Sequence, residues 1–422
     1  EEMERRSWAE QAMLAINVVF PDVALNMAPS TWLQCERLLP HALLAVQYIE
    51  TDHIISEEAA RLLHETAFFL EGRARYAEAE RLYLLALRIK GDKLVSKHPD
   101  TISKLADLYL MQSKYVEAER LYQQALIIYQ QQLGPGHPYT GNGLHDLGYL
   151  YHAQGKYVEA EPLYQQALTI YQQQLGPGHL DTANGLNDLA ALYRDQGKYV
   201  EAEPLYQQAL AITEQQLGRE HLKTATTLVN LSVLYQYQGK WSAAEPLLKR
   251  VLSMREQQLG LEHPHVAHCL NYLANLYYQL GRYAEAEPLY QRALHINEQQ
   301  LGSEHPDVAS SLNGLANLSR EQGGYAEAEP LYQRALHIRE HALGSECPDT
   351  AETVHDLARL REVQGNSEEA RTGYARALAI REQMLGALHP KTTETRKRFI
   401  VLLRAMGQHE EAAELEESQS EP

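Results

Sequence analysis

Apolar residues return along this chain at helical spacing, and the helical stripes themselves return every 42 residues. In 181–196, Leu186, Leu189, Ala190 and Tyr193 fall at i, i+3, i+4 and i+7, one apolar stripe of an amphipathic helix. Gly197 ends that stripe with the backbone freedom of a tight helix–helix turn. A second helix is predicted from about Tyr199 to Gln216, burying Ala202, Leu205, Tyr206, Ala209, Leu210 and Ile212. At 1.5 Å per residue it spans about 27 Å. Gly218 is expected to supply a left-handed C-cap, and Asp181, with its counterparts Asp100, Asp307 and Asp349, to N-cap the first helices.

The marker glycine of the turn stands at 155, 197, 239, 281, 323, 365 and 407, with Ser113 in its place one period earlier. An aromatic residue follows (Tyr157, Tyr199, Trp241, Tyr283, Tyr325), then EAEPLY or a close variant. Leu-Gly recurs at 133, 175, 217, 259, 301, 343 and 385, trailed by His-Pro at 137, 263, 305 and 389. That pair is degraded to His179-Leu180, His221-Leu222 and Cys347-Pro348. The copies at Tyr76 and Tyr115 are 39 residues apart, which shortens the loop near Gly91–Lys97 by three. Nine helix pairs result, the last cut short near Ser418. A single pair cannot bury both its faces, so stacked neighbours must supply the core. Pro162, Pro204, Pro246, Pro288 and Pro330 fall inside the second helices. Proline there usually costs about 3 kcal/mol, so each of these helices is expected to begin late or to bend.

The Gly–x–Tyr–x–x–Ala spacing, with Ala160, Ala167 and their equivalents, resembles the tetratricopeptide repeat, whose usual unit is about 34 residues. The longer unit here, with LGxEHPxxA and EAEPLYxRAL, is similar to that of kinesin light chains over about 55–418. The resemblance implies an all-α, right-handed superhelical solenoid of about nine helix-turn-helix repeats. An N-terminal helical segment, 1–54, would precede it and an acidic tail, 419–422, would follow. Residues 1–54 have another character: SWAEQAMLAINVVFPDV and TWLQCERLLPHALLAV resemble the helical segment joining an NB-ARC domain to such repeats in bacterial STAND-type proteins. That likeness implies a bacterial, cytoplasmic protein whose partner includes an NTPase domain of the same full-length chain. The opening on Glu1 rather than Met is what a piece of something longer would show.

Charge and chemistry narrow the function. The 38 Lys+Arg against 56 Asp+Glu give a net −18, which disfavours nucleic-acid backbones. No apolar run approaches the ~20 residues of a membrane span, and no signal segment opens the chain. Cys35, Cys269 and Cys347 are too scattered for a disulfide framework or a metal pair and are expected as reduced thiols. No phosphate loop is present: Leu150 stands where Gly155-Lys156 would need a glycine five residues upstream. His263, His265 and His268 have a spacing that could bind zinc, but His263 belongs to the repeated His-Pro corner and is expected to pack or cap there. Glu159 and Glu161, copied in every second helix, read as a solvated face near the helix N-terminus. The chain is therefore expected to be no enzyme, with neither metal nor cofactor.

The face of the first helices opposite the apolar stripe is rich in carboxamides. Asn184, Asn187 and Arg194 lie on it in one repeat and Asn230 in the next. Asn271, Tyr272, Asn275 and Tyr278 follow, then Asn313, Asn317 and Arg320. Asparagine is a poor helix former, so its recurrence asks for a reason. In tetratricopeptide solenoids the first helices line the concave groove, where carboxamides can both donate to and accept from an extended peptide backbone. These side chains are expected to bind a protein or peptide segment and to be dispensable for stability. Arg359, Lys397, Arg398 and Arg404 form a basic end, read either as an acidic-ligand pocket or as a capping helix with local pairing. The expected function is a non-catalytic protein- or peptide-binding scaffold, the sensor or interaction arm of a larger STAND-type NTPase. Two readings stand beside it: a structural, autoinhibitory or oligomerisation module, and a kinesin-light-chain-like cargo adaptor, which fits the repeats but not residues 1–54.

Overall fold

The structure, a computed structural model, describes residues 2–21, 29–89 and 99–417. These form twenty α-helices and no strand among the described residues. Helices α1 (Glu2–Val19) and α2 (Pro29–Thr51) precede nine helix pairs. The pairs are α3/α4 (Glu57–Glu71, Tyr76–Ile89), α5/α6 (Pro99–Met111, Tyr115–Leu133), α7/α8 (Pro138–Ala153, Tyr157–Gln174) and α9/α10 (Leu180–Asp195, Tyr199–Leu217). Then come α11/α12 (Leu222–Tyr237, Trp241–Leu259), α13/α14 (Pro264–Gln279, Tyr283–Leu301) and α15/α16 (Pro306–Glu321, Tyr325–Leu343). The last two are α17/α18 (Pro348–Val363, Ser367–Leu385) and α19/α20 (Pro390–Ala405, His409–Glu417). The architecture is the expected all-α solenoid. The shortened loop near Gly91–Lys97 and the acidic tail 419–422 lie outside the described residues. No described helix is long and apolar enough to cross a membrane.

The chain divides into two compact units, Glu1–Asp146 and Leu147–Pro422, with the boundary inside α7. In the first, α1 and α2 pack on α3, and the Arg61 guanidinium ties α3 to the end of α1 by donating 2.7 Å to the Asn17 carbonyl. In the second, each second helix packs on the first helix of the next pair. Alanines at the crossing points (Ala202, Ala209, Ala286, Ala293) are fully buried and bring the backbones together, while a tyrosine one turn on (Tyr164, Tyr206, Tyr290, Tyr332, Tyr374) fills the space between pairs.

The helix ends depart from expectation. In most of the first helices the N-cap is the corner histidine, not the aspartate; α17 is headed by Cys347, which makes no side-chain cap bond, and the residue before α5 lies outside the described residues. The Nδ1 atoms of His179, His221, His263, His305 and His389 accept the backbone N–H two residues on at 3.1–3.2 Å. Asp181 and Asp307 sit one turn position inside. The ring reaches the second N–H of the helix, one of the donors that the first turn leaves unpaired, whether proline or leucine stands between them. Gly218 has φ 93° but ψ 160°, an extended glycine-only conformation rather than a left-handed cap. The carbonyls of such glycines are taken by Thr140, Thr182, Thr224 and Thr350 at 2.7–3.1 Å.

The prolines delay no helix. Second helices start at Tyr157, Tyr199, Trp241, Tyr283 and Tyr325 with Pro162 and its copies inside. All five prolines are exposed, and the residue four before the first, Val158, is 83% exposed. Water therefore reaches the carbonyl that proline leaves without an amide partner, which lowers the cost.

Side chains also stitch one repeat to the next. Arg255, Asn297, Arg339 and Arg381 occupy one register position and each donates to the backbone carbonyl ten residues later at 2.7–3.1 Å. The second glutamate of the EAEP string is not merely solvated. Glu203 accepts from Lys240 at 3.0 Å and Gln238 at 3.2 Å, and Glu245 accepts from Tyr277 at 3.0 Å and Arg282 at 2.9 Å.

The repeats of the second unit wind far enough for its two ends to meet. The α18–α19 corner lies against the α7–α8 corner: a Cβ built on Gly155 would stand 2.5 Å from the Leu385 carbonyl oxygen and 3.1 Å from the His389 ring. The Tyr157 and His389 rings are 6.4 Å apart. At the equivalent glycines 197, 239, 281, 323, 365 and 407 nothing comes within 4 Å.

Candidate peptide-binding groove

In the second unit the first helices of neighbouring repeats touch each other directly (α9 with α11, α13 with α15, α15 with α17), so they occupy the crowded inner side. Their non-core stripe carries the expected asparagines, but at very different depths. Asn184, Tyr272 and Asn275 are exposed, and Arg194, Asn230, Asn271, Tyr278 and Asn317 are half-buried. Asn187, Asn313 and Arg320 are only 8%, 6% and 4% exposed.

Hydrogen bonds explain the depth. The Asn230 amide donates to the Asn187 carbonyl oxygen at 3.2 Å, one repeat back. Asn271 and Ser311 exchange hydrogen bonds at 3.0 and 3.3 Å. Asn313 and Asn317 both donate to Asp356, at 2.7 and 3.0 Å. Three further bonds share a fifteen-residue offset between the stripe and the buried tyrosine of the same repeat. Tyr122 donates to Asp107 at 2.6 Å, Tyr332 to Asn317 at 2.7 Å, and Tyr290 to Asn275. Where Leu248 replaces the tyrosine, the stripe residue fifteen before it is the apolar Val233. Buried hydroxyls need partners, and in these three repeats the stripe provides them. The expectation of dispensability therefore does not extend to Asn187, Asn230, Asn271, Asn313 and Asn317. They form a ladder across repeats, and the pairing signal lay in the sequence as the Asn–Tyr and Val–Leu offset.

Charge in the groove is also partnered. Arg320 donates to the Tyr332 hydroxyl at 2.6 Å, Asn317 at 2.8 Å and Glu321 at 3.0 Å. Arg194 instead grips Asp195 through Nε at 2.7 Å and Nη2 at 3.1 Å, and His152 Nε2 lies 2.9 Å from the same carboxylate. Burial pushes the Asp195 carboxyl up, but the bonds from His152 and Arg194 outweigh it and hold it down at about 2. The basic end is dispersed. Arg359 faces Glu321 at 3.5 Å, Arg404 pairs with Glu416 at 2.7 Å on the surface, Lys397 is exposed and Arg398 half-buried. Arg396 is buried against Glu382 at 2.6 Å.

The clustered histidines share no ligand geometry: the His265 ring lies 5.0 Å from that of His263, and the other two have separate tasks. His263 caps α13, and burial, with Arg255 and His268 adding to it, pushes its imidazole down to about 4. His268 Nε2 is 2.9 Å from Asp307 of the next repeat. Among the described residues no group of three His, Cys, Asp or Glu side chains is placed to hold a metal ion. The three cysteines are buried and unpaired with one another.

No curated protein matches the chain. Among solved structures it is similar to BtubC (BKLC) from P. vanneervenii, with 25% identity over 55% of this chain and 91% of that one and a TM-score of 0.42. It is also similar to a Podosopora anserina putative kinesin light chain with nearly identical TPR-like repeats, at 28% identity over 48% of this chain and 98% of that one, TM-score 0.40. A Rap protein complexed with competence and sporulation factor matches 90% of this chain and 99% of its own at a TM-score of 0.59 and 13% identity, a likeness of fold alone. The tetratricopeptide repeat profile matches residues 99–173, 144–215, 181–257, 265–341, 307–383 and 349–418. With that profile recurring over helix pairs whose caps, buried tyrosines and inter-repeat bonds keep one register, the chain belongs to the tetratricopeptide repeat family.

Proposed function

We propose that the chain is a non-catalytic scaffold that binds an extended protein or peptide segment along the first-helix stripe of its second unit. The observation that carries this is the accessible remainder of the stripe. Asn184, Asn275 and Tyr272 keep exposed polar or aromatic groups on a surface already held rigid by the ladder beneath them. A preorganised surface loses little entropy on binding. Asn230, Asn271, Tyr278 and Asn317 flank them at half-burial. Asn187, Asn313 and Arg320 act through the ladder by positioning these groups. At the basic end Arg359 and Arg404 already face Glu321 and Glu416, so Lys397 and Arg398 are the groups that would attract an acidic residue of the segment.

The same proposal keeps residues 1–54 as a linker and the whole as an interaction arm of a STAND-type NTPase in a bacterial cytoplasm. Their likeness to NB-ARC-adjacent segments supports this, as does the outer face of α1, where Trp8 and Val18 are 73% and 81% exposed as they would be before a neighbouring domain covers them. A phosphate loop encoded upstream of Glu1 is the expected finding; a full-length product without one removes the NTPase part and leaves the scaffold. The scaffold itself is tested by changing Asn184 and Tyr272, which stand outside the ladder, together to alanine. Binding of peptides selected on the wild-type chain should weaken by tenfold or more, with melting nearly unchanged. Undiminished binding would place recognition elsewhere.

A further inference from the structure

The ribbon of repeats in the second unit curves towards its first helices. These touch across neighbouring repeats, whereas neighbouring second helices make no comparable contact among the described residues. The stripe that faces away from the core therefore lines the inside of the curve. The two helices of a pair run antiparallel, so the turn between them lies on one edge of the ribbon. The loop that leads to the next pair lies on the opposite edge. The meeting of the Gly155 turn with the Leu385–His389 loop is thus edge against edge, about five and a half periods on. It closes the curve into a ring, and Asn184, Asn230, Tyr272, Asn275 and Asn317 all lie on the enclosed stretch. The clasp is slight. It holds one backbone approach that only glycine allows and one pair of rings, Tyr157 and His389, at 6.4 Å.

We infer that this ring selects a partner segment with a free end, and that the clasp is the gate for any other. The inference rests on the groove reading and says how the ligand gets in. A terminal segment reaches the stripe through a face of the ring while the clasp stays shut. An extended internal segment, with folded protein on either side, reaches it only while the clasp is parted. Such a barrier is crossed on the way in and on the way out, so it slows both rates and leaves their ratio alone.

The probe is a linear peptide obtained by panning a phage-displayed random library on the intact chain. The same sequence is also made with a small folded domain fused at each end. On wild type the doubly blocked probe should associate roughly tenfold or more slowly than the linear one. Its dissociation should slow by the same factor, leaving Kd unchanged. Gly155→Arg puts a side chain into the clasp and should bring the two association rates together. Gly239→Arg carries the same backbone strain, since both glycines have φ 70°, and should keep the rates as far apart as in wild type. A chain with Tyr157→Cys and His389→Cys joined by a bismaleimide tests the converse, the three native cysteines being buried. It should admit the linear probe and exclude the blocked one. Equal association of the two probes with wild type would overturn the gate and spare the groove. So would a blocked probe that loses equilibrium affinity for wild type and Gly155→Arg alike, because its flanking domains then clash with the bound state itself. If Gly155→Arg does not fold, the cross-linked chain decides: entry of the blocked probe at the wild-type rate overturns the gate. Failure to select any peptide that needs Asn184 and Tyr272 would remove the groove reading and the gate with it.

Discussion

A capping imidazole ties stability to acidity. His263 titrates at about 4 in the folded chain because burial disfavours its charged form, whereas an unfolded histidine titrates near 6.5. Between those values the unfolded chain holds more protons, so the contribution is intact above about pH 6.5 and is lost as the pH falls towards 4. His263→Asn keeps a good N-cap and removes the titration. Its urea midpoint should match wild type at pH 7.5 and exceed it at pH 4.5, by up to about 2–3 kcal/mol once converted; equal losses on acidification would show that the ring does not carry the effect. His263→Ala should lose about 1 kcal/mol at neutral pH through the missing cap. The ladder offers a second residue-scale test. Removing Asn313 leaves the Asp356 carboxylate with one fewer buried donor, so Asn313→Ala should destabilise by roughly 1–3 kcal/mol, whereas Asn184→Ala on the exposed edge should stay within about 0.5 kcal/mol. Melting of the two variants side by side checks the ranking. Which asparagines were buried was hidden because stripe position fixes direction, not depth, and depth depends on whether a partner stands one repeat away.

Helices themselves were legible to within a residue or two, because a periodic stripe multiplied by nine averages out local ambiguity: 181–196 became Leu180–Asp195, and Tyr199–Gln216 became Tyr199–Leu217. The ends were less so. A histidine reads as a capping residue only once its corner geometry is known, and the aspartate beside it obeys the commoner rule. Proline misled as to where these helices begin for a related reason, since its cost depends on whether the orphaned carbonyl meets water. That cost is reduced, not abolished. Pro204→Arg, which installs the residue found at the same place in α4 and α6 (Arg81, Arg120), restores an N–H donor in α10. It should stabilise by about 1–3 kcal/mol, read as a raised denaturation midpoint. A lowered midpoint would mean that proline has a packing role the exposed position does not suggest.

At the scale of the second unit, the contact between the α7–α8 and α18–α19 corners was illegible in sequence, since winding depends on small rotations summed over every repeat. Gly155 and Gly239 share φ 70°, so an alanine at either pays the same conformational strain, about 1–2 kcal/mol. Only at 155 does the new methyl strike the Leu385 carbonyl. Gly155→Ala should therefore melt below Gly239→Ala, and the difference measures the contact; equal melting would mean the corners do not hold each other. An open array of repeats obeys nearest-neighbour statistics and frays from its last member inward. Joining corners about five and a half periods apart turns that line into a loop, in which the outermost pair can peel away only by letting go of the start. Amide exchange in α19 and at the head of α8 should then quicken together rather than in sequence, so a cut anywhere along the unit is felt at both ends.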